Sequence, residues 1–304
     1  MNYAAILQEV YTESQAFASK GSIANYIPEL SNINPDKFGI FLQTKDGDSF
    51  ELGDSQERFS IQSISKVFTL SMAFSLLGEK IWKRVGVEPS GSPFNSIVQL
   101  EYENGIPRNP FINAGALVIA DILLSHLENP KEELLDFVYN LTKDKTINFD
   151  PKVAQSEKET GHHNASLVHL LKAHGNIQNP CEDVLDFYYH QCSISMSCKQ
   201  LAQAISPYAS FTNSFRFSSV QLSKSQVKRI NAIMLSCGFY DESGEFAFTV
   251  GLPGKSGVGG GIIAFQPNKY TIAVWSPRLN KKGNSARGMK ALEIFTTKSG
   301  QSIF

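Results

Sequence analysis

The sequence predicts a mixed α/β (α+β) fold: an antiparallel sheet flanked by N- and C-terminal helices, with a large helical insertion between its strands. Three observations predict it. Short apolar segments with strand character stand near both ends of the chain. The middle instead carries helical periodicity punctuated by Pro, Gly and Asn. The early strands amount only to a hairpin, and a two-stranded ribbon is rarely stable alone, so it has to join the late strands in one sheet. The expected division is 1–62 with 239–304 as a sheet-and-helix domain and 63–238 as a helical domain, with a cleft between them.

Residues 2–19 read as an amphipathic helix ending near Gly21. Segments 38–42 and 50–52 flank Lys45-Asp46-Gly47-Asp48, where Asp-Gly supplies a hairpin turn. Helices are expected over 63–77, 113–127, 130–142, 151–174, 181–191, 197–206 and 223–236. Strands are expected at 246–250, 256–265 and 270–275, with a turn at Gln266-Pro267-Asn268. Ser285 then caps a last helix through Met289, Leu292 and Phe295.

With 28 basic and 29 acidic residues in 304, the chain has no electrostatic footprint for nucleic acid or an anionic membrane. No apolar segment approaches the length that spans a bilayer. The start, Met1 to Val10, lacks a basic region followed by an apolar run, and reads as a helix instead of a signal peptide. Cys181, Cys192, Cys198 and Cys237 show no C-x-x-C spacing and read as reduced thiols. The expectation is small-molecule chemistry in the cytoplasm, without nucleic-acid or membrane partners.

Chemistry concentrates in Ser63-Ile64-Ser65-Lys66 and Lys255-Ser256-Gly257. Positions three apart share a helix face, so the Lys66 amine can take the proton of the Ser63 hydroxyl. That requires the lysine pKa to fall from about 10.4 toward roughly 7–8, which burial and a nearby cation such as Lys255 would promote. Ser63 stands where a helix begins, where free N–H groups favour negative charge; an ordinary N-cap is the alternative. After Lys255-Ser256-Gly257, the run Val258-Gly259-Gly260-Gly261 reads as a strand that a ligand can approach closely.

Two lookalikes fail. Ser225-Gln226-Val227-Lys228 lies inside a helical pattern, and Lys298-Ser299-Gly300 has too little chain after it to form a strand. Gly254-Lys255-Ser256 is no P-loop either, because Thr249 stands where that motif needs a glycine.

The Ser-x-x-Lys and Lys-Ser-Gly pair on this layout resembles the β-lactamase and penicillin-binding (transpeptidase-like) superfamily. Tyr26-Ile27-Pro28-Glu29-Leu30, Glu88-Pro89-Ser90-Gly91, Asn109 to Ala116, Leu185-Asp186-Phe187-Tyr188, Ser236 to Asp241 and Val250 to Val258 resemble the serine-dependent glutaminase family more specifically. The resemblance runs from about residue 21 to the end. It implies hydrolysis of L-glutamine to L-glutamate and ammonia, with no cofactor, in a homodimer or homotetramer.

It also implies the site. Ser63 is the nucleophile and Lys66 the first candidate base. Tyr240 lies near and could relay the proton, and which of the two accepts it stays open. The backbone N–H groups of Ser63 and Val258 form the oxyanion hole. Tyr26, Gln62, Asn113, Glu157, Asn164, Tyr188, Tyr240 and Val258 meet the substrate, Glu157 facing its ammonium; Lys255 supplies supporting electrostatics. Asn113 could equally cap its own helix. The superfamily's Ser-Asp-Asn element is missing, and Tyr188 is the best stand-in. His162, His163 and His169 match no zinc spacing, so no metal is expected. Two rival readings are a β-lactam-reactive serine acylase or peptidase and a non-catalytic glutamine-binding protein.

Overall fold

A computed structural model describes residues 1–91, 96–210, 215–217 and 219–304. The hairpin forms as expected, with β1 at Gly39–Thr44 and β2 at Ser49–Gly53. Two short strands, β3 (Phe59–Ser60) and β4 (Asn148–Phe149), flank β5 (Ile194–Met196) in a small antiparallel sheet. Strands β6 (Phe215–Phe217) and β7 (Val220–Leu222) pair as a ribbon. The late strands are β8 (Gly254–Ser256), β9 (Gly261–Gln266) and β10 (Tyr270–Trp275).

The main sheet is antiparallel, in the order β2-β1-β10-β9-β8. The join between early and late chain is β1 with β10, in register from Gly39 opposite Trp275 to Thr44 opposite Tyr270. Because strand side chains alternate between faces, each strand supplies both sides. Phe41, Ile263, Phe265, Ala273 and Trp275 pack with the helical insertion. Ile40, Leu42, Ile262, Ala264, Ile272 and Val274 pack with Leu7, Val10, Leu292 and Phe295 of the terminal helices.

Those terminal helices, Tyr3–Ser14 and Ala286–Ser299, lie against each other. Tyr3 donates to Gln301 Oε1 at 2.8 Å, and Lys298 pairs with Glu9 and Glu13 at 2.6 and 2.7 Å. The second Lys-Ser-Gly triplet thus closes the last helix. Ser225 likewise sits exposed in helix Lys224–Cys237, away from any cleft.

Three expected elements change. Residues 246–250 fall in a helix, Ser243–Thr249, not a strand; Phe246 stacks on Phe239 with ring centroids 3.6 Å apart while Phe248 is exposed. A strand would place residues two apart on one face, whereas a helix sends them to opposite sides, as Phe246 and Phe248 are. The expected strand 256–265 is two strands divided at Gly257–Gly260, where Gly260 adopts φ +90° and Gly257 and Gly259 press on the backbone of residues 60–63. The expected helix 151–174 breaks at Gly161 into Pro151–Thr160 and His162–Ala173.

Candidate active site

Ser63 lies in a 3-10 turn, Gln62–Ser65, that leads into helix Lys66–Leu77. With three residues per turn, positions 63 and 66 eclipse, so the tighter turn stacks the hydroxyl beneath the lysine stem more directly than an α-turn would. The turn is entered through Gln62 at φ +50°, a left-handed conformation costing about 1–3 kcal/mol in a non-glycine residue. Tyr240, at φ +56°, carries the same cost. Neighbouring packing has to hold both.

Lys66 is buried. Its Nζ donates to Phe111 O at 3.1 Å and to Asn113 Oδ1 at 2.7 Å, and stands 5.8 Å from the Tyr188 ring centroid. Burial lowers its pKa to about 8, with the charge of Glu157 pulling the other way. A neutral amine has two N–H donors and one lone pair. Two donors held by Phe111 and Asn113 leave the lone pair for a third neighbour.

Lys255, fully buried on β8, donates to Gly238 O at 3.0 Å and Ser256 O at 2.6 Å and lies 4.6 Å from the Tyr240 ring centroid. Burial first, and the Lys66 charge second, hold its pKa well below the ordinary lysine value. Burial is the largest cause of both shifts, so the site holds two desolvated amines whose charges oppose each other.

Asn113 begins helix Asn113–His126 but makes no cap; its amide is committed to Lys66 on one side and, at 3.0 Å, to Asn164 Oδ1 on the other. Glu157 and Asn164 belong to different helices, on either side of Gly161, and both still reach the cavity. Glu157 Oε1 accepts from the Tyr26 hydroxyl at 2.8 Å, and that hydroxyl is 3.2 Å from Gln62 Oε1. Burial raises the Glu157 pKa, while hydrogen bonds from Tyr26 and Gln62 and the Lys66 charge draw it back. Gln62 is itself anchored: its Nε2 donates to Ser60 Oγ at 3.0 Å, and Ser60 donates to Cys192 O at 2.9 Å.

Eight of the expected residues, Tyr26, Gln62, Ser63, Asn113, Glu157, Asn164, Tyr188 and Val258, line one cavity of about 340 Å³. Tyr240, expected to meet the substrate, is buried and not part of that wall; its ring centroid lies 4.6 Å from Lys255 Nζ, and burial pushes its pKa up to about 12. Sequence reasoning missed Thr160, Gly161 and Cys192 in the wall, and weighed His163 only as a metal ligand. Cys192 was findable, since it falls four residues after Tyr188 on the same helix face.

The loop after β8 completes the cavity. A Cβ on Gly257 would stand 2.5 Å from Ile61 O and 3.3 Å from Ser63 N, and one on Gly259 2.2 Å from Ser60 O. Only glycine lets these two backbones touch. Their contact brings the loop that carries Val258 against the turn that carries Ser63, whose N–H, in the first turn of its helix, has no intrahelical acceptor.

A cavity whose wall carries an alcohol and a carboxylate, with a desolvated amine three residues on from the alcohol, suits a hydrolytic enzyme. Known proteins narrow the class. The glutaminase family profile matches residues 21–304. A glutaminase of Christiangramia forsetii is 55% identical over 304 residues, covering 100% of both chains. One of Saccharophagus degradans is 54% identical, covering 100% of this chain and 99% of that one. Among solved structures, a probable glutaminase of Bacillus subtilis superposes with a TM-score of 0.90 at 33% identity, over 100% of this chain and 98% of that one. The chain belongs to the glutaminase family. That settles the fold as the mixed, sheet-and-helix architecture of bacterial glutaminases.

Proposed function

We propose that this cavity hydrolyses L-glutamine to L-glutamate and ammonia through an acyl-enzyme on Ser63. Family membership makes the chain an amidohydrolase; the reading adds which atoms do the work. Ser63 Oγ attacks the side-chain carbonyl carbon as its proton passes to Lys66 Nζ. The carbonyl oxygen takes the electron pair and sits on the N–H groups of Ser63 and Val258, each donor worth about 3 kcal/mol. The C–N bond then breaks, Lys66 returns the proton to the departing nitrogen, and ammonia leaves. Water repeats the sequence: Lys66 takes its proton, the ester opens, Ser63 recovers a proton and glutamate departs.

Lys66 is favoured over Tyr240 as base by magnitude. At pH 7 an amine with pKa near 8 is about one-tenth neutral, whereas a phenol near 12 is about one part in 10⁵ ionised. Glu157, which accepts from the Tyr26 hydroxyl, faces the substrate ammonium, and the neutral side chains of Asn113, Asn164 and Tyr188 meet its carboxylate. The observation that carries the reading is that Ser63 and Glu157 share one cavity, while the doubly anchored Lys66, three residues on from Ser63, is tied to Asn113 of the same cavity wall.

Among solved relatives, the Bacillus subtilis probable glutaminase complexed with 6-diazo-5-oxo-L-norleucine has a TM-score of 0.88 at 32% identity, covering 100% of this chain and 98% of that one. The proposal extends to a homodimer or homotetramer in the cytoplasm, supported by the family resemblance and by four free cysteines.

The test is Ser63→Ala, measured by ammonia release and by circular dichroism. The expected outcome is loss of activity with an unchanged fold; an unchanged rate removes the mechanism.

A further inference from the structure

Three side chains join end to end between the buried amine and the cavity. Lys66 Nζ donates to Asn113 Oδ1 at 2.7 Å, and Asn113 Nδ2 donates to Asn164 Oδ1 at 3.0 Å. A side-chain amide carries its acceptor and its donor on opposite arms, so the partner of one arm decides which arm faces the other neighbour. Asn164 offers Asn113 a carbonyl, which selects the Nδ2 arm and leaves Oδ1 to Lys66. Asn164 then keeps its own Nδ2 arm for a ligand in the cavity that both asparagines line. The two stand on helices His162–Ala173 and Asn113–His126, which pack on each other, so the bond between them is held from both sides.

We infer that Asn164 is a positioning residue for the base: by holding the Asn113 amide it keeps a carbonyl, not an N–H, against Lys66. The inference rests on Lys66 being the base for Ser63. A neutral Lys66 has two N–H donors and one lone pair. Phe111 O, at 3.1 Å, and Asn113 Oδ1 take the two donors, and the lone pair is left for the Ser63 proton. With the Asn113 amide reversed, its N–H would occupy that lone pair, and Ser63 would lose its proton acceptor. Asn164 thus has two separable jobs: its Nδ2 serves the substrate carboxylate, and its Oδ1 serves Lys66 through Asn113.

The test uses diisopropyl fluorophosphate, an uncharged reagent with neither the carboxylate nor the ammonium of an amino acid. Ser63 Oγ bonds to phosphorus, fluoride leaves, and the Ser63 proton passes to Lys66. The rate of Ser63 modification, read by mass, therefore reports the nucleophile and its base, not recognition of the substrate. The parent, Asn164→Ala and Asn164→Asp are compared from pH 6 to 10. Each rate should rise with pH and level off as Lys66 becomes neutral. The alanine plateau is expected tenfold or more below that of the parent. The aspartate side chain has nearly the same shape and only accepts, so it still selects the Asn113 Nδ2 arm. Its plateau should stay within threefold of the parent, reached at higher pH because the added negative charge favours the ammonium.

A residue that only binds the substrate carboxylate predicts equal plateaus. An alanine plateau within threefold of the parent, or an aspartate plateau as low as the alanine one, overturns the inference. Should Asn164→Ala not fold, Asn164→Leu, similar in size and without an acceptor, takes its place. Where the reagent does not react with the parent, kcat at saturating glutamine is judged by the same thresholds. A parent rate flat across the pH range removes Lys66 as the base; a pH-dependent parent with equal plateaus removes only the role of Asn164.

Discussion

Gly257→Ala tests the oxyanion hole while leaving the functional groups of the cavity's side chains in place. The added Cβ would lie 2.5 Å from Ile61 O, and ordinary contact begins near 3.4 Å, so the loop after β8 has to retreat by about 0.9 Å. The neighbour is backbone, held by the Ile61 N–H bond to Ile194 O at 2.9 Å, and has little room to yield. The retreat carries the Val258 N–H with it. A displacement of about 1 Å costs roughly 10²-fold in rate, and loss of one oxyanion donor roughly 10²–10³. Steady-state ammonia release should show kcat lower by about 10²-fold. KM should move by less than about threefold, because Glu157 and Asn164, the proposed holders of the amino-acid end, stand on other helices. A thermal melt run in parallel shows that the sheet remains folded. A kcat within threefold of the parent would refute the claim that this backbone contact builds the hole.

Glu157→Gln removes the charge partner of the substrate ammonium and is expected to raise KM about tenfold or more; a change within twofold in saturation kinetics contradicts the assignment. Because burial lowers the Lys66 pKa to about 8 and catalysis needs the neutral amine, kcat/KM should rise about tenfold per pH unit below that value and level off above it. A profile flat between pH 6 and 8 would exclude Lys66 as the base. Asp121, fully buried on the helix that carries Asn113, accepts from Arg84 at 2.5 Å and from the N–H groups of Gln178 and Asn179 at 3.0 and 2.8 Å. Asp121→Ala strands these donors and should cost about 3–5 kcal/mol in denaturant titration; a cost below about 1 kcal/mol would count against it.

Much of the site was legible because its chemistry is written in short motifs. Ser63 and Lys66 are one turn apart, Val258 follows Lys255-Ser256-Gly257 directly, and Gly161 marks the break between the Glu157 and Asn164 helices. The sheet was legible from its two ends, since a hairpin needs partners and β10 offers an apolar face on each side. What stayed hidden depends on tertiary contact. Helix Ser243–Thr249 follows from Phe246 stacking on Phe239, which no local period reveals. The largest cause of the lowered Lys66 pKa is burial, and burial is a property of the folded chain.

The pairing of β1 with β10 governs when this protein can become active. The strand carrying Gly39 to Thr44 leaves the ribosome early, but its partner is among the last segments made, and the Val258 loop is scarcely earlier. Ser63 therefore waits through most of synthesis with half of its pocket missing. The hairpin meanwhile presents an unpaired edge, a surface prone to wrong partners. Long-range closure of this kind slows folding. A chain truncated before residue 270 would retain Ser63 and Lys66 yet lack the strand that joins the hairpin to the rest of the sheet.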